Sequence, residues 1–289
     1  MLTKDPSGLV HVLGAYDAWS ARLIEHAGFD AIYMSGFGAA ASVAALPDIG
    51  LLTMTQMAQH ADAMSAAVSI PVIADADNGY GNLNNVRLCV QSYERAGVAA
   101  LHLEDQISPK KCGHFAGKEV ISRREMAAKI RAAIQARTDE HLMIIARTDA
   151  NAIEGIEKAL ERGNAYIDAG ADALLIEAPR TLKEIEQISH AFGGKIPLVY
   201  NMVESGLLPD VSPQQLERYG FRVVLYSTKL LFSVSRHLCT ILATLRDNPT
   251  MKLSAISFDD FLGLIRFQDY QNMEHAANLP PSPKGVTVI

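Results

Sequence analysis

Five groups in this chain have the types and spacing to do chemistry: Asp75 with Asp77, Glu104, Arg147, and a cysteine set among cations in Lys110-Lys111-Cys112-Gly113-His114. Two aspartates separated by one residue on an extended segment point to the same face. Glu104 ends the next apolar run at a similar height, and three converging carboxylates need a cation. All-oxygen ligation without a His/Cys partner set suits Mg²⁺, with Mn²⁺ as a substitute, and several retained waters. The alternative is that these acids cap helices or pair with Lys and Arg. Segment 108–118 (SPKKCGHFAGK) reads as a long, cationic, glycine-containing loop. A thiol flanked by Lys110, Lys111 and His114 has the electropositive surroundings that bring a cysteine near neutrality, able to give or take a proton. The bland reading is a surface loop. Cys89 and Cys239 fall on helix-like stretches and read as packing residues, while His102 fits a buried core histidine as well as a functional one.

The elements that must position these groups are eight short apolar runs at 10–16, 31–36, 71–77, 100–105, 143–148, 173–178, 197–202 and 222–227. Amphipathic segments lie between most of them, with start signals at Asp17, Thr53, Ser122 with Glu125, Thr181 with Glu184, and Ser212-Pro213. Gly28, Gly97, Gly170 and Gly220 each close a helix and feed a strand, as a left-handed C-cap does. Near-continuous apolar strands alternating with helices mean parallel strands covered by helices, and eight such units close a barrel. The expectation is a (β/α)8 TIM-like barrel rather than an open doubly wound sheet. Its strand ends carry Tyr33 and Ser35, Asp75 and Asp77, His102 and Glu104, Arg147 to Asp149, Glu177, and Asn201 with Glu204, where barrel active sites form. After about residue 230 come two helix-like stretches, 233–248 and 257–274, and a Pro-rich tail, 279–289. The whole chain, 1–289, is expected to be a single domain with a C-terminal helical extension.

Composition excludes other classes. Hydrophobic residues make up 49% and charged residues 20%, with a net charge of −6, which fits neither a disordered chain nor a basic nucleic-acid surface. Three cysteines with no CxxC pair argue against a disulfide framework or structural zinc and point to a reducing, cytoplasmic compartment. No leader-like start and no apolar run of membrane-spanning length are present, so an unprocessed, soluble chain with no membrane or nucleic-acid partner is expected.

Taken together, Tyr-Met-Ser-Gly (33–36), Leu-Pro-Asp-Ile-Gly (46–50), Asp-Ala-Asp-Asn-Gly-Tyr-Gly (75–81), His-Leu-Glu-Asp-Gln (102–106), Lys-Lys-Cys-Gly-His (110–114) and Ala-Arg-Thr-Asp-Ala (146–150) resemble the isocitrate lyase/phosphoenolpyruvate mutase superfamily over roughly residues 5–250. The resemblance implies an α/β barrel, Mg²⁺ bound mainly through Asp77 with Asp75 and Glu104 helping through water, and a gating loop that carries a catalytic Cys112. Lys-Lys-Cys-Gly-His is similar to the carbon–carbon lyase branch, which includes methylisocitrate, dimethylmalate and oxaloacetate-cleaving enzymes. Phosphonate-forming mutases typically replace this cysteine. Tyr33, where the phosphoenolpyruvate mutase has Trp, points the same way. Phe37 departs from the Ser-Gly-Gly-Gly of methylisocitrate lyases, and Phe115-Ala116-Gly117-Lys118 from their Arg-Pro-Asn-Lys, which favours a malate- or oxaloacetate-type substrate.

The implied activity is a Mg²⁺-dependent lyase that splits a 2-hydroxy di- or tricarboxylate into an α-keto acid such as pyruvate and a second carboxylate. The alternative is a carboxyphosphonoenolpyruvate-type phosphonomutase, since some of those share a cysteine-containing loop. In the lyase reading Arg147 and His102 spread developing charge, Tyr33 or a metal-bound water removes the hydroxyl proton, and Cys112 protonates the leaving carbanion. His114 and Lys111 complete the catalytic set. The Ser35–Gly36 backbone donates N–H bonds to the substrate carboxylate, and Phe37, Asp48, Gly113, Glu177 and Asn201 complete the substrate site. Substituents are expected to be read around Phe37, Leu207, Leu208 and Pro209. A stripe of Phe258, Phe261, Leu262, Ile265 and Tyr270 needs a partner surface, and the resemblance implies a homotetramer with an exchanged terminal helix.

Overall fold

A computed structural model describes residues 8–204 and 206–278; the Pro-rich tail lies outside the described residues. The strands are β1 (Val10–Ala15), β2 (Ile32–Met34), β3 (Val72–Asp75), β4 (Ala100–Glu104), β5 (Met143–Thr148), β6 (Ala173–Ile176), β7 (Leu198–Asn201) and β8 (Phe221–Tyr226). They pair in parallel in chain order, and β1 closes on β8. The helices are α1 (Ala18–His26), α2 (Gly36–Ala44), α3 (Met54–Ala67), α4 (Leu83–Arg95), α5 (Arg123–Ala136), α6 (Asn151–Glu154), α7 (Ile156–Asp168), α8 (Leu182–Phe192), α9 (Pro213–Arg218), α10 (Lys229–Asp247), α11 (Phe258–Leu264) and α12 (Phe267–Asn278). The expected (β/α)8 barrel is the fold.

Local sequence explains the element boundaries. Asp17, Thr53 and Ser212 form reciprocal capping boxes with Ser20, Gln56 and Gln215. Ser122 supplies only half of the expected box: its hydroxyl accepts from Glu125 N at 3.2 Å. The four helix-closing glycines all have positive φ, from 78° to 99°, a region that costs other residues a Cβ clash.

Strand alternation divides the barrel into two kinds of surface. Val72 and Ala74, Leu101 and Leu103, and Ile144 and Ala146 face the helix layer, in the larger apolar core. The intervening Ile73, Ala100, Ile145, Ala173, Leu175, Val199 and Val223 fill the barrel interior, where each fully buried aliphatic side chain contributes about 1.5–3 kcal/mol. The same inward parity continued to the strand ends delivers Asp75, His102 with Glu104, Arg147 and Asn201. An apolar plug therefore supports a polar layer at the C-terminal mouth.

The chain divides into two compact units at Leu238/Cys239, within α10. The first holds the barrel; the second holds the rest of α10, then α11 and α12. The expected single helix over 257–274 is two helices, because Arg266 takes a left-handed φ of 54° between α11 and α12. Cys89 is buried as expected, whereas Cys239 is exposed on α10 rather than a packing residue.

Candidate active site

The register of neighbouring strands sets the heights of the polar layer. Asp75 pairs with His102, and Glu104 pairs with Arg147. Asp77 does not reach the site by strand alternation, contrary to expectation: β3 ends at Asp75 and Asp77 turns out with a φ of 48°. Two backbone contacts hold this turn. Asp77 N donates to Asp75 Oδ1 at 3.0 Å, and Glu104 N donates to Asp77 O at 2.9 Å.

All three acids are buried. Asp75 is fully committed: besides the Asp77 amide, its Oδ2 accepts from Gly36 N at 3.1 Å and from the Tyr33 hydroxyl at 3.4 Å. Burial alone would raise its pKa, but His102, Lys110 and Arg147 hold it well below the usual range. Burial outweighs Lys110 at Asp77 and pushes it up to about 6, with Asp75 and Asp48 adding repulsion. Burial raises Glu104 well above its ordinary value, against the pull of Arg147. Glu104 Oε1 has no hydrogen-bond donor, whereas Asp77 Oδ1 is met by the Lys110 ammonium at 2.7 Å and Glu104 Oε2 by the Arg147 guanidinium at 3.2 Å. Buried, hard oxygens that draw cations in this way fit a divalent cation. Among the described residues no three acidic, imidazole or thiol groups stand close enough to enclose a metal by themselves, so a cation here would keep water ligands.

Arg147 is the hub of the opposite wall. Its guanidinium meets Glu104 at 3.2 Å, Asp149 at 3.0 Å and Glu177 at 3.6 Å. Burial raises Glu177, but Arg147 and His114 outweigh it and hold the carboxyl at about 2. Glu177 Oε1 also lies 3.2 Å from His114 Nε2 and accepts from Asn201 Nδ2 at 3.0 Å. On the other side Tyr33 Oη is 2.5 Å from His102 Nε2, with the two rings stacked at 5.6 Å between centroids. Burial raises the Tyr33 hydroxyl well above its ordinary value and lowers the His102 imidazole, against the pull of Asp75.

The 108–118 loop lies over these groups. Cys112 N donates to Asp48 O at 2.9 Å. Gly113 packs so tightly that a Cβ would sit 2.5 Å from Arg147 Nη2 and 2.8 Å from Glu177 Cγ. A cavity of about 30 Å³ remains, lined among others by Tyr33, Ser35, Phe37, Asp48, Asp75, Cys112, Gly113, His114, Arg147, Glu177 and Asn201. Eleven expected residues thus meet around one space. With the loop in this position it has room for about one water.

Four expectations change. The Cys112 thiol is pushed up to about 11, burial being the main cause, because the flanking lysines turn away from it. Lys110 ends on Asp48 and Asp77 at 2.5 and 2.7 Å, and Lys111 bonds the Gly117 carbonyl within the loop at 2.6 Å, outside the cavity. The Gly36 N–H is already used by Asp75, so it is not a donor for substrate. Leu207, Leu208 and Pro209 do not line the cavity; its apolar wall is Phe37, set edge-on to Phe232 at 5.8 Å, and Val203. Ser227 and Thr228 also line it. They were missed, although they follow β8 at the same strand-end position as the other site residues.

A family profile described as phosphoenolpyruvate phosphomutase matches residues 3–245. The chain is 42% identical over 265 residues to the 2,3-dimethylmalate lyase of Eubacterium barkeri, covering 91% of each. It is 39% identical to the carboxyvinyl-carboxyphosphonate phosphorylmutase of Arabidopsis thaliana, covering 93% of this chain and 81% of that one. Identity to the 2-methylisocitrate lyase of Aeropyrum pernix is 38%, covering 90% and 84%. Among solved structures, a 2,3-dimethylmalate lyase superposes with a TM-score of 0.90 at 33% identity over 98% of this chain and 95% of that one. An oxaloacetate acetylhydrolase bound to 3,3-difluorooxalacetate follows at 0.88 and 34%, covering 97% and 95%. A phosphonopyruvate hydrolase in complex with oxalate and Mg²⁺ gives 0.82 and 30%, covering 94% and 95%. Barrel, strand-end acids, loop cysteine and near full-length likeness agree: the chain is an enzyme of the phosphoenolpyruvate mutase/isocitrate lyase superfamily.

Proposed function

We propose that the protein is a carbon–carbon lyase acting on a 2-hydroxydicarboxylate of the 2,3-dimethylmalate type, giving pyruvate and a second monocarboxylate. The observation that carries this reading is the Cys112 thiol at the cavity wall, held protonated by burial. A protonated thiol is an acid, and a lyase needs one to quench its carbanion; a phosphonomutase does not.

Charge narrows the substrate. Of the residues lining the cavity, Arg147 alone carries a fixed positive charge, against Asp48, Asp75 and Glu177. A third substrate carboxylate would enter a cavity already rich in anions, and repulsion between close charges is strong in a buried site. The malate- and oxaloacetate-type substrates favoured by Phe37 and Phe115 fit that balance better than a tricarboxylate.

Asp77, with Asp75 and Glu104 in support, would hold Mg²⁺, which when bound supplies Lewis-acid stabilisation of charge on the hydroxyl and later keto oxygen. Tyr33 takes the substrate hydroxyl proton while passing its own to His102 Nε2. The bond between C2 and C3 breaks, the C2 oxygen becomes the keto oxygen of pyruvate, and the electron pair stays on C3. Arg147 stabilises the carboxylate of that fragment, and Cys112 protonates C3 with the loop down, where water is excluded. From 2,3-dimethylmalate the products are pyruvate and propionate.

The test is a side-by-side assay of 2,3-dimethylmalate, 2-methylisocitrate and oxaloacetate with Mg²⁺, read by pyruvate reduction and by oxalate detection. Pyruvate from dimethylmalate at a kcat/KM at least tenfold above that for methylisocitrate is expected. Phosphorus NMR showing P–C bond rearrangement, with no turnover of any hydroxy acid, would replace the lyase with the mutase.

A further inference from the structure

Asp149 and Lys118 take part in none of these steps, yet both are buried beside the site. Asp149 Oδ2 receives Arg147 Nε at 3.0 Å and its Oδ1 receives Arg147 Nη2 at 3.2 Å. Its backbone N–H is fixed by Asp105 Oδ1 at 2.9 Å. The second partner of Oδ1 is the ammonium of Lys118 at 3.0 Å, and that same ammonium donates to the carbonyl oxygen of Gly113. One cation therefore joins the peptide next to Cys112 to the carboxylate that orients Arg147.

The loop's construction gives this contact a purpose. Its base is clamped: Ile107 N donates to Glu119 O, Gln106 bridges Val120, and the Gln106 side chain bonds both the N–H and carbonyl of Lys111. Lys118 stands beside that clamp, next to Glu119. The tip, residues 112–114, carries the Cys112 thiol, and in its seated position the Gly113 carbonyl accepts from the Lys118 ammonium.

We propose that Lys118 is a positioning residue: bound to Asp149, it latches the Gly113 carbonyl and so seats Cys112 in register with Arg147. This inference rests on the lyase reading for the importance of Cys112, but the latch itself is read without substrate. Lys118→Met keeps the length of the side chain and removes its donor, while Asp149 retains Arg147 as a partner. Lys118→Arg keeps the charge.

The experiment is iodoacetamide alkylation of substrate-free enzyme in a Cys239→Ser background, with modification of Cys112 followed by peptide mass spectrometry. Lys118→Met is expected to raise the Cys112 alkylation rate by about tenfold, the order expected for a lost charge-assisted hydrogen bond. Lys118→Arg should fall between Met and wild type. In turnover, Lys118→Met should lower kcat with a smaller change in KM. Asp149→Asn, with circular dichroism on each variant, repeats the test if Lys118→Met does not fold. Equal Cys112 alkylation in wild type and a folded latch variant overturns the proposal. Faster alkylation together with no hydroxy-acid turnover by the wild type would overturn the lyase reading and leave the latch standing.

Discussion

Lys110 places its ammonium 2.7 Å from Asp77 Oδ1 and 2.5 Å from Asp48 Oδ1, between two buried carboxylates. The loop thus sends its own cation to the carboxylate with which a divalent metal would bind. EDTA is expected to abolish activity and Mg²⁺ or Mn²⁺ to restore it, with Asp77→Ala almost inactive. Isothermal titration should show Mg²⁺ binding to Lys110→Met at least as tightly as to wild type, because a competing cation is gone. Full activity in metal-free buffer would count against the metal assignment.

Replacing Cys112 with Ser should lower turnover by about 10²–10⁴-fold, the range for a lost general acid, while inhibitor affinity stays nearly constant. An acid works while protonated, so its contribution is present below its pKa and lost above it. Burial moves the thiol from its ordinary value near 8.5 up to about 11. The basic limb of kcat should therefore lie well above pH 9 and disappear in Cys112→Ser. A limb near pH 8 in the wild type would show that the thiol is not buried during turnover.

Gly113→Ala adds one methyl group where Arg147 Nη2 and Glu177 Cγ stand within 2.8 Å. The loop cannot seat without displacing the guanidinium, so kcat should fall by about 10² or more, as misplacement of a catalytic group by an ångström does. The barrel core is untouched, and thermal melting should shift by no more than a few degrees. Wild-type turnover in this variant would mean that the loop does not close as described.

Apolar side chains on the C-terminal helices are open in the single chain: Phe258 is 76% exposed, Tyr270 67% and Met273 71%. Such faces need cover, and four copies of this chain exchanging terminal helices are the proposed arrangement. Light scattering at micromolar concentration should give a mass near four chains. Phe258→Asp with Tyr270→Asp should lower it and reduce thermal stability. A stable wild-type monomer would dismiss the tetramer.

What the sequence makes legible depends on whether the information is local. Apolar runs, helix caps and left-handed glycines are written within a few residues, so eight strands, their order and the helix starts at Thr53 and Ser212 followed from the sequence alone. Strand ends are also local, which is why Asp75, His102, Glu104, Arg147 and Asn201 read from the sequence as one group at the barrel mouth. Only tertiary structure decided where flexible side chains and turns end up. Asp77 turns out of its strand because its backbone bonds Asp75 and Glu104, from different strands. Lys110, not Lys111, faces the site because its partner Asp48 lies 62 residues away in the chain. The thiol environment departs from the sequence expectation for the same reason: neighbouring lysines in sequence charge a cysteine only if they point at it, and here packing turns them to Asp48, Asp77 and Gly117 while burying the sulfur. Asp149, shared by Arg147 and Lys118, is a relation between a strand end and a loop that no spacing rule contains.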